Sequence, residues 1–111
     1  MIELTAVLEL RKALEEKFGK DIVVIDIRTV SSIADYFVIA TGSSAPQMQA
    51  LATAAEESLT KSGFTLGHVE GLQDGKWVLL DYGTIIVHLF DKDNRQFYDL
   101  ERIWRDGKMI E

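Results

Sequence analysis

A glycine and a serine lie where a strand is predicted to end and a helix to begin. Of all residues in the chain, these two have the pattern that most resembles a ligand-binding motif. Gly42 and Ser43 follow a run of apolar residues, and Ser44 and Gln47 have the spacing of a helix N-cap. Backbone N–H groups at such a helix start can bind phosphate. A nucleotidyltransferase would add two carboxylates on a neighbouring strand to hold Mg²⁺, and the sequence places no such pair there.

Other candidate catalytic and metal-binding residues have simpler structural interpretations. Asp91 and Asp93 form an Asp-x-Asp pair at a predicted helix start, where capping explains both. His68 and His88 are the only histidines, and without cysteine a transition-metal site would need scattered carboxylates. No serine lies in a G-x-S-x-G context. We therefore expect no catalytic residues, no metal site and no cofactor.

Composition narrows the class of protein further. The chain has 111 residues, a typical length for one domain, so we expect a single domain over residues 1–111. Eighteen acidic and 12 basic residues give a net charge of −6, which disfavours nucleic acid and favours a basic protein as partner. The absence of cysteine, of a signal or transit peptide and of a membrane-length apolar run predicts a cytoplasmic protein with no membrane partner.

The pattern of apolar residues predicts an α/β domain with the element order αββαβββα. The first helix has Leu4, Val7, Leu8, Arg11, Leu14 and Phe18 at helical spacing. Strands are predicted over 21–27, 36–41 and 64–69, and the second helix runs from Ser44 to Gly63 with a buried stripe of Met48, Leu51, Ala52, Ala55 and Leu59. A hairpin and a last helix starting at Asp91 follow. Together these elements indicate a mixed five-stranded sheet with flanking helices.

Residues 76–90, KWVLLDYGTIIVHLF, are typical of one β-hairpin with two different faces. Tyr82 and Gly83 are the predicted turn, which pairs Asp81 with Thr84 and Trp77 with His88. Alternation then places on the core face Val78, Leu80, Ile85, Val87 and Leu89. The opposite face combines Trp77, Leu79 and Ile86 with Asp81, Thr84 and His88. This mixture favours a partner-binding surface, and the alternative is that a helix of the same domain covers Trp77 and Leu79.

Long motifs carry a resemblance to a known family. The segments DIVVIDIRTVSSIADYFVIATGSS (21–44), Glu70-Gly71, WVLLDYG, VHLF and FYDLERIW closely resemble the Iojap-like family of ribosomal silencing factors over nearly the whole chain. The resemblance implies a nucleotidyltransferase-like fold without catalytic acids and a translation regulator that is not an enzyme. It further implies binding to the large ribosomal subunit through ribosomal protein number fourteen, a block of small-subunit joining when nutrients are short, and a homodimer when free.

The family's partner-facing residues can be transferred one by one onto this sequence. They are Trp77, Leu79, Asp81 and Tyr82 in the hairpin and Tyr98, Asp99, Leu100, Glu101 and Trp104 in the last helix. Leu100 and Trp104 fit the buried stripe of that helix equally well. The chain departs from the family at Pro46, where Arg is frequent, and at Thr84, where Asp is frequent. Two other functions compete: a degenerate nucleotidyltransferase-like protein that binds nucleotide at Gly42-Ser43, and a structural dimer with no ribosomal role.

Overall fold

Two helices and six strands make up the part of the chain that the computed structural model describes, namely residues 2–29, 32, 34–73, 76–92 and 108–109. In chain order they are α1 (Ile2–Glu16), β1 (Lys20–Asp26), β2 (Tyr36–Gly42), α2 (Ala45–Lys61), β3 (His68–Glu70), β4 (Trp77–Asp81), β5 (Ile85–Asp91) and β6 (Lys108–Met109). The predicted order is confirmed from α1 to β5. Strand β3 is shorter than predicted, and β6 adds a two-residue strand.

The strands form one mixed sheet in the order β3-β4-β5-β2-β1-β6. Strands β2 and β5 run parallel at its centre, and the other neighbours pair antiparallel. Every residue of β2 is buried, as expected of a strand whose two faces both lie inside the protein. The predicted mixed five-stranded sheet is therefore confirmed, with β6 extending one edge.

Both helices pack on the same face of the sheet. Helix α2 buries its predicted stripe together with Ala54, and Gly63 follows it with the positive φ of a C′ residue, +93°. The side chains of this main core come from both helices and four strands and include Val7, Leu14, Val24, Val38, Met48, Leu51, Leu59, Leu80 and Val87. Of the helices that the structure describes, none is long and apolar enough to cross a membrane.

Helix α1 confirms the predicted stripe at Leu4, Val7 and Leu14 but not at Leu8 and Phe18. Leu8 is 40% exposed and Phe18 is 78% exposed. Ala6 and Leu10 are also buried, although the prediction did not include them. Phe18 lies beyond the helix end at φ +64°, and the N–H groups of Phe18 and Gly19 bond back to the carbonyls of Glu15 and Leu14. This Schellman turn directs Phe18 away from the helical register, which the spacing could not indicate.

Strand β5 ends at Asp91, the residue at which the last helix is predicted to begin. Parallel pairing with β2 continues to this point, where Asp91 lies opposite Gly42. From residue 93 on, the predicted helix, including Phe97, Leu100 and Trp104 on its apolar face, lies outside the described residues.

Candidate functional site

A tight turn sets the geometry of the β4–β5 hairpin. Gly83 has φ +84°, and its N–H donates to Asp81 Oδ1 at 2.8 Å. The N–H of Tyr82 donates to the carbonyl of Ile85 at 2.9 Å. The two-residue loop therefore consists of Gly83 and Thr84, and the predicted Tyr82-Gly83 loop is wrong by one residue. A glycine at the first loop position suits a turn of the primed type.

This shift changes the strand pairing but leaves the faces as predicted. Trp77 lies opposite Phe90, and Asp81 lies opposite Ile86. The predicted pairing of Trp77 with His88 is wrong, because a loop placed one residue later moves each partner by two residues. Two residues are one full side-chain period, so no side chain changes face. The predicted core face is confirmed, since Val78, Leu80, Ile85, Val87 and Leu89 all belong to the main core.

The opposite face of the hairpin belongs to a second hydrophobic cluster. Its buried members are Ile25, Ile27, Ala34, Phe37, Ile39, Ile86 and Phe90. Trp77 and Leu79 are half-buried and pack against it, and Asp81 is half-buried at the turn. Neither α1 nor α2 contributes a residue to this cluster, so among the described helices none covers Trp77 and Leu79. Both side chains thus combine apolar support with accessible surface.

Aromatic neighbours hold the Trp77 indole in place. Its ring stacks on Phe90, with centroids 5.2 Å apart and 28° between the planes. Its Nε1–H donates to His88 Nδ1 at 3.1 Å. His88 in turn packs on Phe37 in a T-shaped arrangement, with centroids 4.9 Å apart. The indole is therefore supported on its face by stacking and at its polar end by a hydrogen bond.

Burial keeps His88 neutral. The side chain is 5% exposed, and desolvation of the charged imidazolium lowers its pKa to about 4. Because Nδ1 accepts the Trp77 hydrogen bond, the proton of the neutral ring lies on Nε2. Nε2 is buried and has no hydrogen-bond partner in the described part of the chain. The sequence indicated that His88 and Trp77 are neighbours. It did not indicate that Phe90 joins them, although Phe90 follows His88 by two residues and therefore lies on the same face of the strand.

Tyr82 lies in the main core. It therefore does not belong to the partner-facing surface, to which the family resemblance assigned it. It is 5% exposed and shares the core face with Val78 and Leu80, as the alternation along the strand requires. Burial, and secondarily the Glu56 carboxylate, raise the pKa of Tyr82 to about 12. The other transferred residues, Tyr98, Asp99, Leu100, Glu101 and Trp104, lie outside the described residues.

Side chains of α2 fill the Gly42-Ser43 turn. Gln47 Oε1 accepts hydrogen bonds from the backbone N–H and the hydroxyl of Ser43, at 2.5 and 2.7 Å. Ser44 accepts from the Gln47 N–H, which confirms the predicted N-cap. A Cβ built on Gly42 would lie 2.7 Å from the Met48 sulfur, so this side chain packs directly on the turn. The two donors of Ser43 are therefore already used within the protein.

An ion pair that the sequence pattern did not indicate lies at the end of β1. Arg28 donates to both carboxylate oxygens of Asp26, at 3.0 and 2.7 Å, and its guanidinium lies over the Tyr36 ring. It secures the chain where β1 ends. Within the described ranges no three His, Asp or Glu side chains are grouped closely enough to hold a metal ion.

The fold and the hairpin face together define an α/β domain with two helices on one side of a mixed sheet and a supported aromatic surface on the other. A family described as "Ribosomal silencing factor during starvation" matches residues 3–111, and the chain belongs to this family. The assignment predicted from the sequence motifs is thereby confirmed.

The chain is similar over most of its length to individual relatives and to a solved structure. Ribosomal silencing factor RsfS of Bacillus subtilis is 36% identical over 99 residues, covering 89% of this chain and 84% of the relative. A mouse protein named mitochondrial assembly of ribosomal large subunit protein 1 is 28% identical over 94 residues, covering 82% of this chain and 41% of that protein. The crystal structure of a Chromobacterium violaceum protein superposes with a TM-score of 0.86 at 34% identity, covering 91% of this chain and 84% of that one.

Proposed function

We propose that the protein silences translation by binding the large ribosomal subunit through ribosomal protein number fourteen and blocking the small subunit from joining. One observation carries the proposal: a chain of the ribosomal silencing factor family presents half-buried Trp77 and Leu79 on the β4–β5 hairpin. The family description refers to starvation, which supports a role under nutrient limitation. The name of the mouse relative refers to the large subunit, which supports that choice of subunit.

The hairpin face has the physical properties of a protein-binding surface. A tryptophan held by stacking and by a hydrogen bond loses little side-chain freedom when a partner covers it, so more of its contact energy appears as affinity. Aromatic anchors of this kind dominate the energetics of many interfaces. The net charge of −6 favours association with a basic protein such as a ribosomal one.

The proposed contact extends beyond the described residues. Its hairpin part consists of Trp77, Leu79 and Asp81, without the buried Tyr82. Its remaining part consists of residues in the last predicted helix, Tyr98, Asp99, Leu100, Glu101 and Trp104. We also propose that the free protein forms a homodimer in the cytoplasm. Sedimentation equilibrium of the purified protein tests the dimer independently of the ribosome.

Steric exclusion requires occupancy and no chemistry. In the proposed mechanism, the protein acts without a cofactor and without turning over a substrate. Inhibition should therefore saturate when the protein equals the large subunits in number, and it should fail on subunits that have already joined. These two properties distinguish a steric inhibitor from an enzyme, which would act at amounts far below those of its target.

The test mixes purified large and small subunits with the protein, without nucleotide, and follows their reassociation by sedimentation. We expect the wild type to prevent reassociation. Trp77→Ala should weaken binding to large subunits about thirtyfold, the effect of losing an anchor worth about 2 kcal/mol. Phe18→Ala removes an aromatic residue that is exposed elsewhere on the surface and should bind like the wild type. Normal reassociation with the protein in excess would refute the steric mechanism.

Nucleotide binding at Gly42-Ser43 is the competing function, and the geometry of the turn does not favour it. Gln47 already accepts from both Ser43 donors, and Met48 packs against Gly42. A phosphate group would have to displace the Gln47 side chain. Inhibition of subunit joining that occurs only with ATP or GTP present would support this function instead.

A further inference from the structure

Packing alone does not explain a histidine at position 88. The ring is almost completely buried between Phe37 and Phe90, where an apolar side chain of similar size would fit. Its Nε2–H is a buried donor for which the described residues provide no acceptor. A buried donor without a partner lowers the stability of a fold. Leucine or phenylalanine would place no such donor there, so the feature that distinguishes His88 from these residues is of interest.

The property that distinguishes His88 from an apolar residue is the acceptor at Nδ1. This nitrogen receives the Trp77 indole N–H at 3.1 Å. Stacking on Phe90 supports the flat face of the indole, whereas the hydrogen bond is directional within the plane of the ring. The hydrogen bond selects one rotation. We infer that His88 is a positioning residue, which holds Trp77 in the orientation that the partner meets.

The arrangement remains intact at neutral pH. The acceptor exists only while Nδ1 carries no proton, and burial lowers the pKa of His88 to about 4. The aromatic rings that contact His88 in the described part of the chain, those of Trp77, Phe37 and Phe90, are uncharged. The Trp77 orientation is therefore already established in the free protein, before any partner binds, which reduces the entropy lost on binding.

The test is a double-mutant cycle between positions 77 and 88, and its binding readout rests on the proposed function. His88→Leu removes the acceptor and keeps an apolar side chain, and Trp77→Phe removes the donor and keeps a ring. With Trp77 present, His88→Leu should weaken binding to isolated large subunits about threefold to tenfold, the range for one hydrogen bond. In the Trp77→Phe background, the same change should alter affinity by less than about twofold.

Two further measurements separate positioning from a general effect on the fold. His88→Asn retains an acceptor near the Nδ1 position and should recover most of the affinity. The indole N–H resonance of Trp77, assigned by its loss in Trp77→Phe, should shift and exchange faster with solvent in His88→Leu but not in His88→Asn. If His88→Leu does not fold, His88→Phe removes the same acceptor while keeping an aromatic ring, and the same results are expected.

The outcomes are distinguishable. Equal weakening by His88→Leu with and without Trp77 would show that His88 acts through the fold and would overturn the inference. An unchanged indole resonance in His88→Leu would overturn it as well. A wild type that does not bind large subunits would refute the proposed function, and with it the role of His88 in binding.

Discussion

Mild acid should destabilise the protein, and His88 should account for most of the loss. In the folded state, burial lowers the pKa of His88 to about 4, against 6.5 for an unperturbed histidine. As the pH falls, the unfolded chain therefore binds a proton before the folded protein does. The stability that the neutral ring permits is fully present above pH 6.5 and is lost as the pH falls towards 4.

The depth of burial determines the magnitude. One pKa unit corresponds to about 1.4 kcal/mol, so the full shift is worth about 3 kcal/mol, of which about 2 kcal/mol is lost between pH 7 and pH 5. With only 5% of the side chain exposed, solvent screening reduces this value little. Most carboxylates remain ionised in this pH range and contribute little to the difference.

Urea denaturation followed by circular dichroism at pH 7 and pH 5 measures the effect. The wild type should lose about 2 kcal/mol of unfolding free energy, and His88→Leu should lose much less because it has no titrating group at this position. His68→Gln is the matched control, since the other histidine has a side chain that is 61% exposed. It should behave like the wild type. An equal acid-induced loss in the wild type and in His88→Leu would refute the assignment of a buried neutral ring.

Five further substitutions, two of them comparison variants, test the fold, each by urea denaturation. Gly71→Ala should cost about 3 kcal/mol, because φ is +79° and a Cβ would lie 1.9 Å from the carbonyl oxygen of the first residue of β4. Gly63→Ala has a similar φ but open space, and should cost about 1 kcal/mol. Gln47→Ala should cost about 1–2 kcal/mol through lost hydrogen bonds at the helix start, whereas exposed Gln49→Ala should stay within about 0.5 kcal/mol. Phe18→Gly should raise the free energy of unfolding by about 1 kcal/mol, because glycine adopts φ +64° without strain. A lower free energy of unfolding in this variant would contradict the assigned turn.

Local sequence signals were sufficient for most of the architecture. The period of the apolar residues and the caps at Ser44 and Gly63 located the elements from α1 to β5, because these signals depend on neighbours within a few residues. Alternation along the hairpin divided its two faces correctly even though the predicted turn was one residue early, since a two-residue slip preserves side-chain direction. The family could likewise be recognised from long contiguous motifs.

Tertiary packing decided the character of the individual site residues. Alternation along the strand places Trp77 on one face of the sheet and Tyr82 on the other. Tyr82 is buried because the helices pack on its face of the sheet. The sequence of the Gly42-Ser43 turn is compatible with phosphate binding, but Gln47 accepts from the donors of Ser43, and its amide also donates to the Phe18 carbonyl at the end of α1. Such bonds depend on where two helices meet in space, which no local period encodes.

The chemistry of His88 shows the same division. From the sequence alone it was a histidine near a tryptophan on one face of a hairpin. Burial between Phe37 on β2 and Phe90 on β5 determines the neutral state of His88, its tautomer and its hydrogen bond to the indole. These two strands are far apart in the chain and pair in parallel in the sheet. Hydrophobic period determines which face a side chain occupies, and only the surrounding packed strands determine its protonation and its partners.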